Sequence, residues 1–435
     1  MSHQIACKQA PTSNLKAKAS KMSSTLAAST TADLAKALTG LRAGERSALA
    51  GWMRRHLFGH VLPFWEKHAF DPAGGLCTCI SDDGRILSGD KWLWSQWRAV
   101  WVFARIYNTL DRNPVWLERA RGIAAYCLRH GWLEKEQGWA LLLAQDGRVL
   151  RGYESIYVDG FAIYGLSELY RATGDAEIRR QLVRTADAVL VKLAQPYDTL
   201  PHFPYPIPPR AKPHGIPMIW SLKFAEIGAQ LGEEKYRQAA RRFADEIFLH
   251  HYDPKADCLR EYVRLDGGPF DGPAGKVVVP GHVIEDMWFQ LDVLVHTGRD
   301  PARAALAHHL TLRHLDLGWD REFGGLRLAV NIDGSEPVAW GFADSKLWWP
   351  HTEILISTLR GWDETRQTVF LDWYEKVWHL CLERYVDWEN GEWRQKLNRD
   401  FTPMASVVAL PVKDPFHLPR SLILQIEMLE KPVAR

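Results

Sequence analysis

A glycine-rich turn that leads into a helix occurs twice in this chain, and this repetition constrains the fold more than any other sequence feature. The first copy is Asp71-Pro-Ala-Gly-Gly-Leu76, followed by a helical pattern from near Lys91. The second is Asp320-Arg-Glu-Phe-Gly-Gly-Leu326, followed by a helical pattern from near Lys346. Weaker copies occur at Gly138-Trp139, Asp266-Gly267 and Gly391-Glu-Trp393. Repeated units of this kind must stack on one another, because one unit alone cannot bury its apolar face.

The segments after these turns are helical in pattern. Apolar residues recur every three or four positions in "LSGDKWLWSQWRAVWVFARIYNTL", "GYESIYVDGFAIYGLSELYRATGD", "HVIEDMWFQLDVLVHTG" and "SKLWWPHTEILISTLRGW". An open solenoid would have a regular period and short turns, whereas these loops are long, irregular and aromatic. The pattern therefore predicts an all-α fold, a closed (α/α)6 barrel of about six helical hairpins. Its long loops and short β-hairpins should surround a pocket at one end.

The composition predicts an ordinary globular protein, in one large domain or a few smaller ones, with an N-terminal extension. The chain has 435 residues, of which 46% are hydrophobic and 24% are charged, so it can bury a large core. Residues 1–32 contain no acidic residue and are rich in Ser, Thr, Ala and Lys. We therefore expect a flexible tail over residues 1–40 and a single barrel domain over residues 41–435. An organelle transit peptide is a weaker alternative, because this segment has no arginine.

Charge and cysteine usage narrow the partners and the compartment. The chain carries 54 Lys and Arg against 52 Asp and Glu, and it has no basic stripe that would bind nucleic acid or anionic lipid. No apolar stretch reaches the roughly 20 residues of a membrane span. The close pair Cys77 and Cys79 lacks the two-residue gap of zinc or thioredoxin-type sites. We expect reduced thiols, a cytoplasmic protein and a small-molecule partner.

Aligning the two clear repeats by their lysines places polar and aromatic residues at equivalent positions of two inner helices. The equivalent pairs are Lys91 with Lys346, Trp94 with Trp349, Gln96 with His351 and Arg98 with Glu353. An arginine and a glutamate at inward positions would be costly in a dry core unless they were paired. We therefore expect Arg98 and Glu353 to face a wet cavity.

Two histidines have matching contexts at predicted helix starts. His282 follows Pro280-Gly281, and the positive end of the helix dipole should keep its imidazole neutral and basic. Glu285 lies one turn further along the same face. His417 in "DPFHLPRS" repeats the arrangement, with Arg420 one turn further on. A lone histidine near a helix end is more often a capping or surface group, but the matching pair predicts acid–base chemistry in one cavity.

Aromatic residues favour a sugar ligand, although most of the 20 tryptophans must fill gaps between helices. Trp94 and Trp349 share a repeat position, and we single them out together with Tyr157 as stacking groups. His351 is ambiguous, because the "WWPHTE" stretch is also compatible with simple packing between helices.

Five stretches, taken in order, resemble the N-acylglucosamine 2-epimerase family over roughly residues 45–430. They are "GGL…DGRILSGDKWLWSQWRAVW", "YESIYVDGFAIYGLSELYRATGD", "PGHVIEDMW", "DREFGGL…DSKLWWPHTE" and "FHLPR". The resemblance implies an (α/α)6 barrel that interconverts sugars at carbon 2, through an enediolate, with no redox cofactor or essential metal. It also implies a homodimer.

The resemblance assigns roles residue by residue. The two proton-transfer histidines correspond to His282 and His417, and the arginine near the substrate O1 and O2 corresponds to Arg98. The glutamate beside the first histidine corresponds to Glu285. The substrate-binding positions correspond to Trp94, Tyr157, Trp349, Glu353 and His351.

One departure separates this chain from part of the superfamily. Cellobiose epimerases and aldose–ketose isomerases resemble one another in an "NxHxH" helix, where this chain has "HGIPMIWSLKFAEI" with Gly215, Pro217, Met218 and Ile219. This argues against a disaccharide epimerase and, less strongly, against a mannose isomerase. The expected substrates are N-acyl-D-glucosamine and N-acyl-D-mannosamine types of monosaccharide.

Three other functions remain open at the level of sequence. An aldose–ketose isomerase would use the same barrel and return the proton to carbon 1. A glycoside hydrolase on an (α/α)6 barrel would need two carboxyl groups flanking the scissile bond, whereas the matched residues here are histidines. A non-catalytic binding protein is the third alternative. No "GxxxxGKS" phosphate loop is present.

Overall fold

The structure, a computed structural model, describes residues 30–431. Its helices are α1 (30–42), α2 (Ser47–His56), α3 (Leu62–His68), α4 (Leu93–Thr109), α5 (Pro114–His130), α6 (Ile156–Thr173), α7 (Ala176–Lys192), α8 (Gly215–Leu231), α9 (Glu234–Glu246), α10 (Pro280–Thr297), α11 (Pro301–Gly318), α12 (Trp348–Thr365), α13 (Thr368–Arg384) and α14 (His417–Glu430). π-Helical turns at Leu57–Val61 and Ile247–His251 follow α2 and α9, and 3-10 turns lie at Tyr197–Thr199 and Pro273–Lys276.

Six of these helices form a closed inner ring. Helices α4, α6, α8, α10, α12 and α14 contact one another in sequence, and α14 returns to contact α4. Each inner helix packs on an outer partner: α5, α7, α9, α11 and α13 follow their inner helices, and α2 packs on α14. The predicted (α/α)6 barrel is therefore confirmed.

Tight turns join each inner helix to the outer helix that follows it, at one end of the barrel. Three outer helices, α5, α7 and α11, begin at side-chain caps, because Asn113, Asp175 and Asp300 accept hydrogen bonds from backbone N–H groups in the first turn. Pro114 and Pro301 start α5 and α11, where the missing N–H costs nothing. The long connections therefore all lie at the opposite end, before each inner helix.

Short strands join the long loops into a rim. They are β1 (Cys79–Ile80), β2 (Ile86–Ser88), β3 (Lys91–Trp92), β4 (Trp132–Leu133), β5 (Gly138–Trp139), β6 (Leu142–Leu143), β7 (Val149–Arg151), β8 (Ala211–Pro213), β9 (Tyr252–Asp253), β10 (Cys258–Leu259), β11 (Tyr262–Arg264), β12 (Val277–Val278), β13 (Val330–Asn331), β14 (Lys346–Leu347) and β15 (Lys396–Leu397). The antiparallel pairs β3–β6, β8–β11, β12–β13 and β14–β15 each link the loops that precede two consecutive inner helices. The pairs β1–β2, β4–β5, β6–β7 and β9–β10 are local hairpins.

The repeated glycine turns are anchored in the same way in both clear repeats. Lys91 Nζ lies 2.6 Å from Asp71 Oδ2, and Lys346 Nζ lies 3.0 Å from Asp320 Oδ2. In the first repeat, Gln96 Oε1 accepts the Leu76 N–H at 2.7 Å. In the second, His351 Nε2 accepts the Leu326 N–H at 3.0 Å.

These side chains also explain the second glycine of each turn. Gly75 and Gly325 have φ of +71° and +72°, and a Cβ there would lie 2.8 Å from Gln96 Oε1 or 3.0 Å from His351 Nε2. Glycine is required at both positions by conformation and by space.

The ordered barrel begins earlier than the predicted boundary at residue 41. In α1, Leu34, Ala37, Leu38 and Leu41 are buried in the main core cluster, so residues 30–40 belong to the domain. The predicted tail over residues 1–29 lies outside the described residues. Cys77, Cys79, Cys127, Cys258 and Cys381 are free thiols. Within residues 30–431, no helix combines the length and apolarity needed to cross a bilayer.

Candidate active site

A cavity of about 670 Å³ opens at the end of the barrel where the inner helices begin. Its wall comes from the first three turns of the inner helices and from loop residues within 204–209, 339–342 and 408–414. The helix residues that line it are Trp94, Arg98, Tyr157, Phe161, Gly215, Met218, Ile219, Lys223, His282, Glu285, Phe289, Trp348, Trp349, His417 and Arg420. Six helix N-termini therefore meet around one space, and their dipoles favour a negative charge there.

His282 lies in the first turn of α10 and is held from two sides. Its ring stacks on the Trp349 indole, with centroids 5.4 Å apart. Its Nδ1 lies 3.1 Å from Glu261 Oε2, at the end of the loop that leads into β11. A carboxylate can only accept, so Nδ1 carries the proton and Nε2 is the nitrogen that can exchange a proton with a ligand.

The pKa of His282 is shifted in the direction opposite to the prediction. Burial lowers the pKa of His282, but the charge and hydrogen bond of Glu261 outweigh it, and the pKa lies above its ordinary value. The sequence argument considered only the helix dipole, which favours a neutral ring. A carboxylate in direct contact exerts a stronger effect than the partial charge of a helix end.

Glu285, predicted to stand beside His282, hydrogen-bonds to a different residue. Its Oε1 accepts from Arg420 Nη2 at 2.5 Å, although its charge also raises the pKa of His282. Glu285 lines the cavity, but the direct partner of His282 is Glu261.

His417 begins α14 and has a contrasting environment. Its Nδ1 lies 2.8 Å from Glu353 Oε1, and its ring centroid lies 5.7 Å from that of Trp349. Burial and the positive charges of Arg98 and Arg420 lower the pKa of His417 to about 3. The ring is therefore neutral at physiological pH, and its Nε2 can accept a proton.

Arg420 occupies the one place among the described residues where a metal ion would find several ligands. Glu285, Glu353 and His417 each offer an atom, and these atoms lie within 4.8 Å of one another. Arg420 Nη2 lies 2.5 Å from Glu285, 2.7 Å from Glu353 and 3.3 Å from His417 Nδ1. The guanidinium thus neutralises the two carboxylates itself.

Arg98, on the second turn of α4, presents a guanidinium to the cavity from between aromatic rings. Its Cζ lies 4.0 Å from the Phe161 centroid and 4.9 Å from that of Phe416. Nη1 lies 3.2 Å from Asp414 Oδ1, and Nε has no hydrogen-bond partner among the described residues. Burial lowers the pKa of Arg98, against the opposing charge of Asp414, but an arginine stays protonated. The site therefore holds a fixed positive charge with unused donors.

The predicted stacking residues lie together at the cavity. Trp94, Tyr157 and Trp349 all line it, each as the second residue of its inner helix. Two aromatic residues that sequence reasoning missed, Tyr205 and Trp340, stack on each other with centroids 6.3 Å apart. Both also contact the ring of His282. They lie on loops without helical periodicity, which offers no signal for a site residue.

Two predicted substrate-binding residues are not among the cavity-lining residues. His351 is fully buried, and its ring nitrogens contact Leu347 O and Leu326 N, so it anchors a glycine turn. Glu353 is also fully buried and lies behind His417. The repeat alignment paired positions that are equivalent in the structure. However, some inward-facing residues near the helix starts line the cavity, whereas others anchor the loops.

Glu261 was missed because nothing near it in sequence resembles a site. It lies in "CLREYVRLDG", 21 residues before His282, and meets it only because β11 pairs with β8 at the rim. An isolated glutamate before a short strand does not predict a contact with a histidine 21 residues away.

Comparisons with known proteins agree with this geometry. The profile of N-acylglucosamine 2-epimerase (GlcNAc 2-epimerase) matches residues 75–418. The chain belongs to the N-acylglucosamine 2-epimerase family. It is 30% identical to the N-acylglucosamine 2-epimerase of Bos taurus over 402 residues, covering 90% of this chain and 94% of the bovine protein. The Homo sapiens protein of the same name is also 30% identical, over 400 residues, with 90% and 93% covered.

The fold is shared with a solved epimerase. The cellobiose 2-epimerase of Bacillus thermoamylovorans B4167 superposes with a TM-score of 0.75 at 18% identity, covering 88% of this chain and 99% of the other. Within the family, this chain is an enzyme of the isomerase class, a carbohydrate 2-epimerase.

Proposed function

We propose that the enzyme interconverts monosaccharides of the N-acyl-D-glucosamine and N-acyl-D-mannosamine types by moving a proton at carbon 2. Support for the substrate class comes from the relatives, which carry that name at 30% identity over most of both chains. The apolar side chains of Met218 and Ile219 in the cavity wall are also compatible with an acyl group. No histidine of an "NxHxH" pattern occupies this helix.

The observation that carries the proposal is the contrast between His282 and His417. Both rings lie against Trp349, one with its pKa raised by a carboxylate and the other with its pKa lowered by burial and two guanidiniums. Two titratable groups whose environments push their pKa values apart are suited to act as acid and base. Inversion at one carbon needs two such proton carriers on opposite faces.

The proposed reaction begins with opening of the sugar ring. Neutral His417 removes the proton from carbon 2 through Nε2, and negative charge develops on the oxygens of an enediolate. Arg98 and the helix N-termini stabilise that charge where it forms. Protonated His282 then delivers a proton to the opposite face of carbon 2. In the reverse direction the two histidines exchange roles.

Glu261 and Glu353 support the histidines without touching the substrate in this scheme. Each accepts the Nδ1 proton of one ring, and this fixes the tautomer with Nε2 available for proton exchange. We assign Trp94, Tyr157 and Trp349 to stacking against the sugar.

Product analysis in deuterated water tests the proposal. N-acetyl-D-mannosamine incubated with the enzyme should yield N-acetyl-D-glucosamine labelled at carbon 2, detected by NMR. His282→Ala and His417→Ala should each lose at least about a hundredfold in kcat, the lower range for a positioned acid or base. His309→Ala, an exposed histidine paired with Asp257, is the control and should retain activity.

Two outcomes would overturn this scheme. Unlabelled product would exclude proton exchange at carbon 2, and wild-type turnover by either histidine variant would exclude the assigned roles. Formation of a 2-ketose from a non-acylated aldose, with no 2-epimer, would identify an aldose–ketose isomerase instead.

A further inference from the structure

A second reactive group lies at the floor of the cavity. Lys223, in the third turn of α8, is 2% exposed and lines the same cavity as His282, His417 and Arg98. Its Nζ lies 3.0 Å from the Tyr164 centroid and 5.7 Å from that of Phe289. The scheme proposed above gives this amine no role.

Lys223 differs from the other cations of the floor because it forms no ion pair with any residue that the structure describes. Arg420 binds Glu285 and Glu353, and Arg98 pairs with Asp414. Within residues 30–431, no carboxylate lies within ion-pair distance of Lys223 Nζ, and no hydrogen bond is formed by it. A buried amine that forms no ion pair or hydrogen bond tends to lose its proton, because its charged form is poorly solvated.

The charges that face Lys223 act in both directions. Arg98 on α4 and Arg420 on α14 disfavour its protonation, whereas Glu226 on its own helix and Glu285 on α10 favour it. Burial is the largest influence, and it lowers the pKa of Lys223 to about 7. At neutral pH the neutral fraction of such an amine is therefore larger than that of an exposed lysine.

We propose that Lys223 is a carbonyl-reactive nucleophile that forms a reversible imine with small aldehydes in the cavity, including the acyclic form of an aldose. Desolvation next to other cations is the environment that activates lysines for this chemistry. The neutral amine attacks the aldehyde carbon, the C–N bond forms as the C=O π bond breaks, and a carbinolamine results. Loss of water, made of the carbonyl oxygen and the two amine protons, gives the imine. The sugar part of the proposal rests on the proposed function, but the reaction with other aldehydes does not.

Reductive trapping tests the assignment. The full-length enzyme is incubated at pH 7 with glycolaldehyde at a concentration that is limiting relative to its lysines. Sodium cyanoborohydride then reduces the imine to a stable secondary amine, and peptide mass spectrometry locates it. We expect the modified fraction at Lys223 to exceed that at any exposed lysine at least tenfold, because the lower pKa leaves more of this amine neutral.

Lys396 provides a matched control in the same cavity. Burial lowers the pKa of Lys396 as well, but its Nζ donates hydrogen bonds to Leu410 O at 3.0 Å and Val412 O at 3.2 Å, and these carbonyls hold the amine in place and stabilise its protonated form. Lys396→Met should keep the Lys223 label, and Lys223→Met should lose it. Lys223→Arg keeps a cation in place and should also lose it, which covers the case in which the methionine variant does not fold.

The outcomes separate this proposal from the proposed function. Equal labelling of Lys223, Lys396 and exposed lysines would overturn the imine proposal while leaving epimerisation untouched. In His282→Ala the label at Lys223 should persist, because imine formation does not require that imidazole. A second trapping with N-acetyl-D-mannosamine in place of glycolaldehyde should label the same lysine, and its failure alone would remove the sugar from the proposal.

Discussion

At the scale of single residues, the site is defined by which charges face each imidazole. Glu261 contacts His282 directly, whereas His417 lies near the guanidiniums of Arg98 and Arg420. Both rings begin helices, so the helix dipole cannot account for their difference. Side chains from neighbouring helices and loops therefore set the protonation of the pair.

Glu261→Gln should move the alkaline limb of the pH–rate profile to lower pH. With His417 as base, turnover needs a protonated His282 and is lost as pH rises through the pKa of that ring. The pKa of His282 is raised by Glu261, so removing the charge brings the loss to lower pH. The measurement is kcat/KM against pH for both proteins. Glu134→Gln, an exposed carboxylate paired with Arg184, is the control. An alkaline limb that stays in place would show that Glu261 does not set the charge of His282.

In the Arg420→Met variant, the loss of kcat/KM at acidic pH should begin at a pH closer to 7 than in the wild-type enzyme. Arg420 is one of the two guanidiniums that hold the pKa of His417 at about 3, and Glu353 would remain 2.8 Å from the ring. The pKa of His417 should rise, and the neutral base would be lost as pH falls through the new value. The readout is kcat/KM at acidic pH, with Arg321→Met, an exposed arginine paired with Asp316, as the control. An unchanged acidic profile would contradict the assignment of His417 as base.

The sequence predicted the convergence of residues that lie in the first two turns of inner helices, while their roles stay predictions. His282, His417, Arg98 and Trp349 occupy turns whose phase is fixed by the repeat, so their convergence on one space could be predicted. The carboxylates that hydrogen-bond to the histidines could not be predicted, since Glu261 reaches His282 only through the pairing of loops.

At the scale of elements, the two clear glycine turns are attached by buried ion pairs to the strands that lead into α4 and α12. Lys346, in β14, and Asp320, at the start of its turn, form an ion pair with both side chains fully buried. Arg399, next to β15, also binds Asp320 at 2.8 Å. One carboxylate therefore joins the turn before α12 to the loop before α14.

Asp320→Asn should destabilise the fold by roughly 3–5 kcal/mol, because it leaves Lys346 buried without its anion. The shift of the urea midpoint at constant slope measures this loss. Asp333→Asn is the matched control, since its partner Lys276 is half exposed and little change is expected. Equal midpoints for the two variants would mean that the buried pair contributes no more than a surface pair.

Helices were predicted well and loops were not, for a physical reason. A helix can be predicted from the local periodicity of its apolar residues, which is present in "HVIEDMWFQLDVLVHTG" and in the other helical stretches. The rim strands are two or three residues long and pair with strands from the next repeat, as Lys91 and Trp92 do with Leu143 and Leu142. Their pairing depends on closure of the whole ring. The same dependence explains why α1, predicted as part of a tail, is helical and buries Leu34 and Leu38.

At the scale of the whole molecule, the helix that closes the inner ring also completes the cavity. The last inner helix, α14, packs on α2 near the start of the described chain and on α4, and it supplies His417 and Arg420. The two histidines of the cavity therefore come from α10 and α14, with His282 and His417 lying 135 residues apart in sequence, and neither helix forms the site without the rest of the barrel.

Arg105→Met tests whether this closure limits stability. Arg105 lies two turns beyond Arg98 on α4 and binds Glu168 on α6 at 2.8 Å and Glu427 on α14 at 2.6 Å, so it ties three inner helices together. Removing it leaves mostly buried carboxylates without their cation, and we expect a loss of roughly 3 kcal/mol of unfolding free energy. Since Arg105 does not line the cavity, kcat without denaturant should stay close to wild type.

The control for this variant is Arg54→Met, which breaks a half-exposed pair between α2 and Glu430 on α14 and should cost less than about 1 kcal/mol. Urea unfolding followed by both circular dichroism and activity distinguishes the outcomes. A lower midpoint in both signals for Arg105→Met, with near-normal kcat at zero urea, would place the α4–α6–α14 contact in ring closure. A wild-type midpoint accompanied by lost activity would instead make Arg105 part of the site, because the variant would then act on chemistry without loosening the barrel.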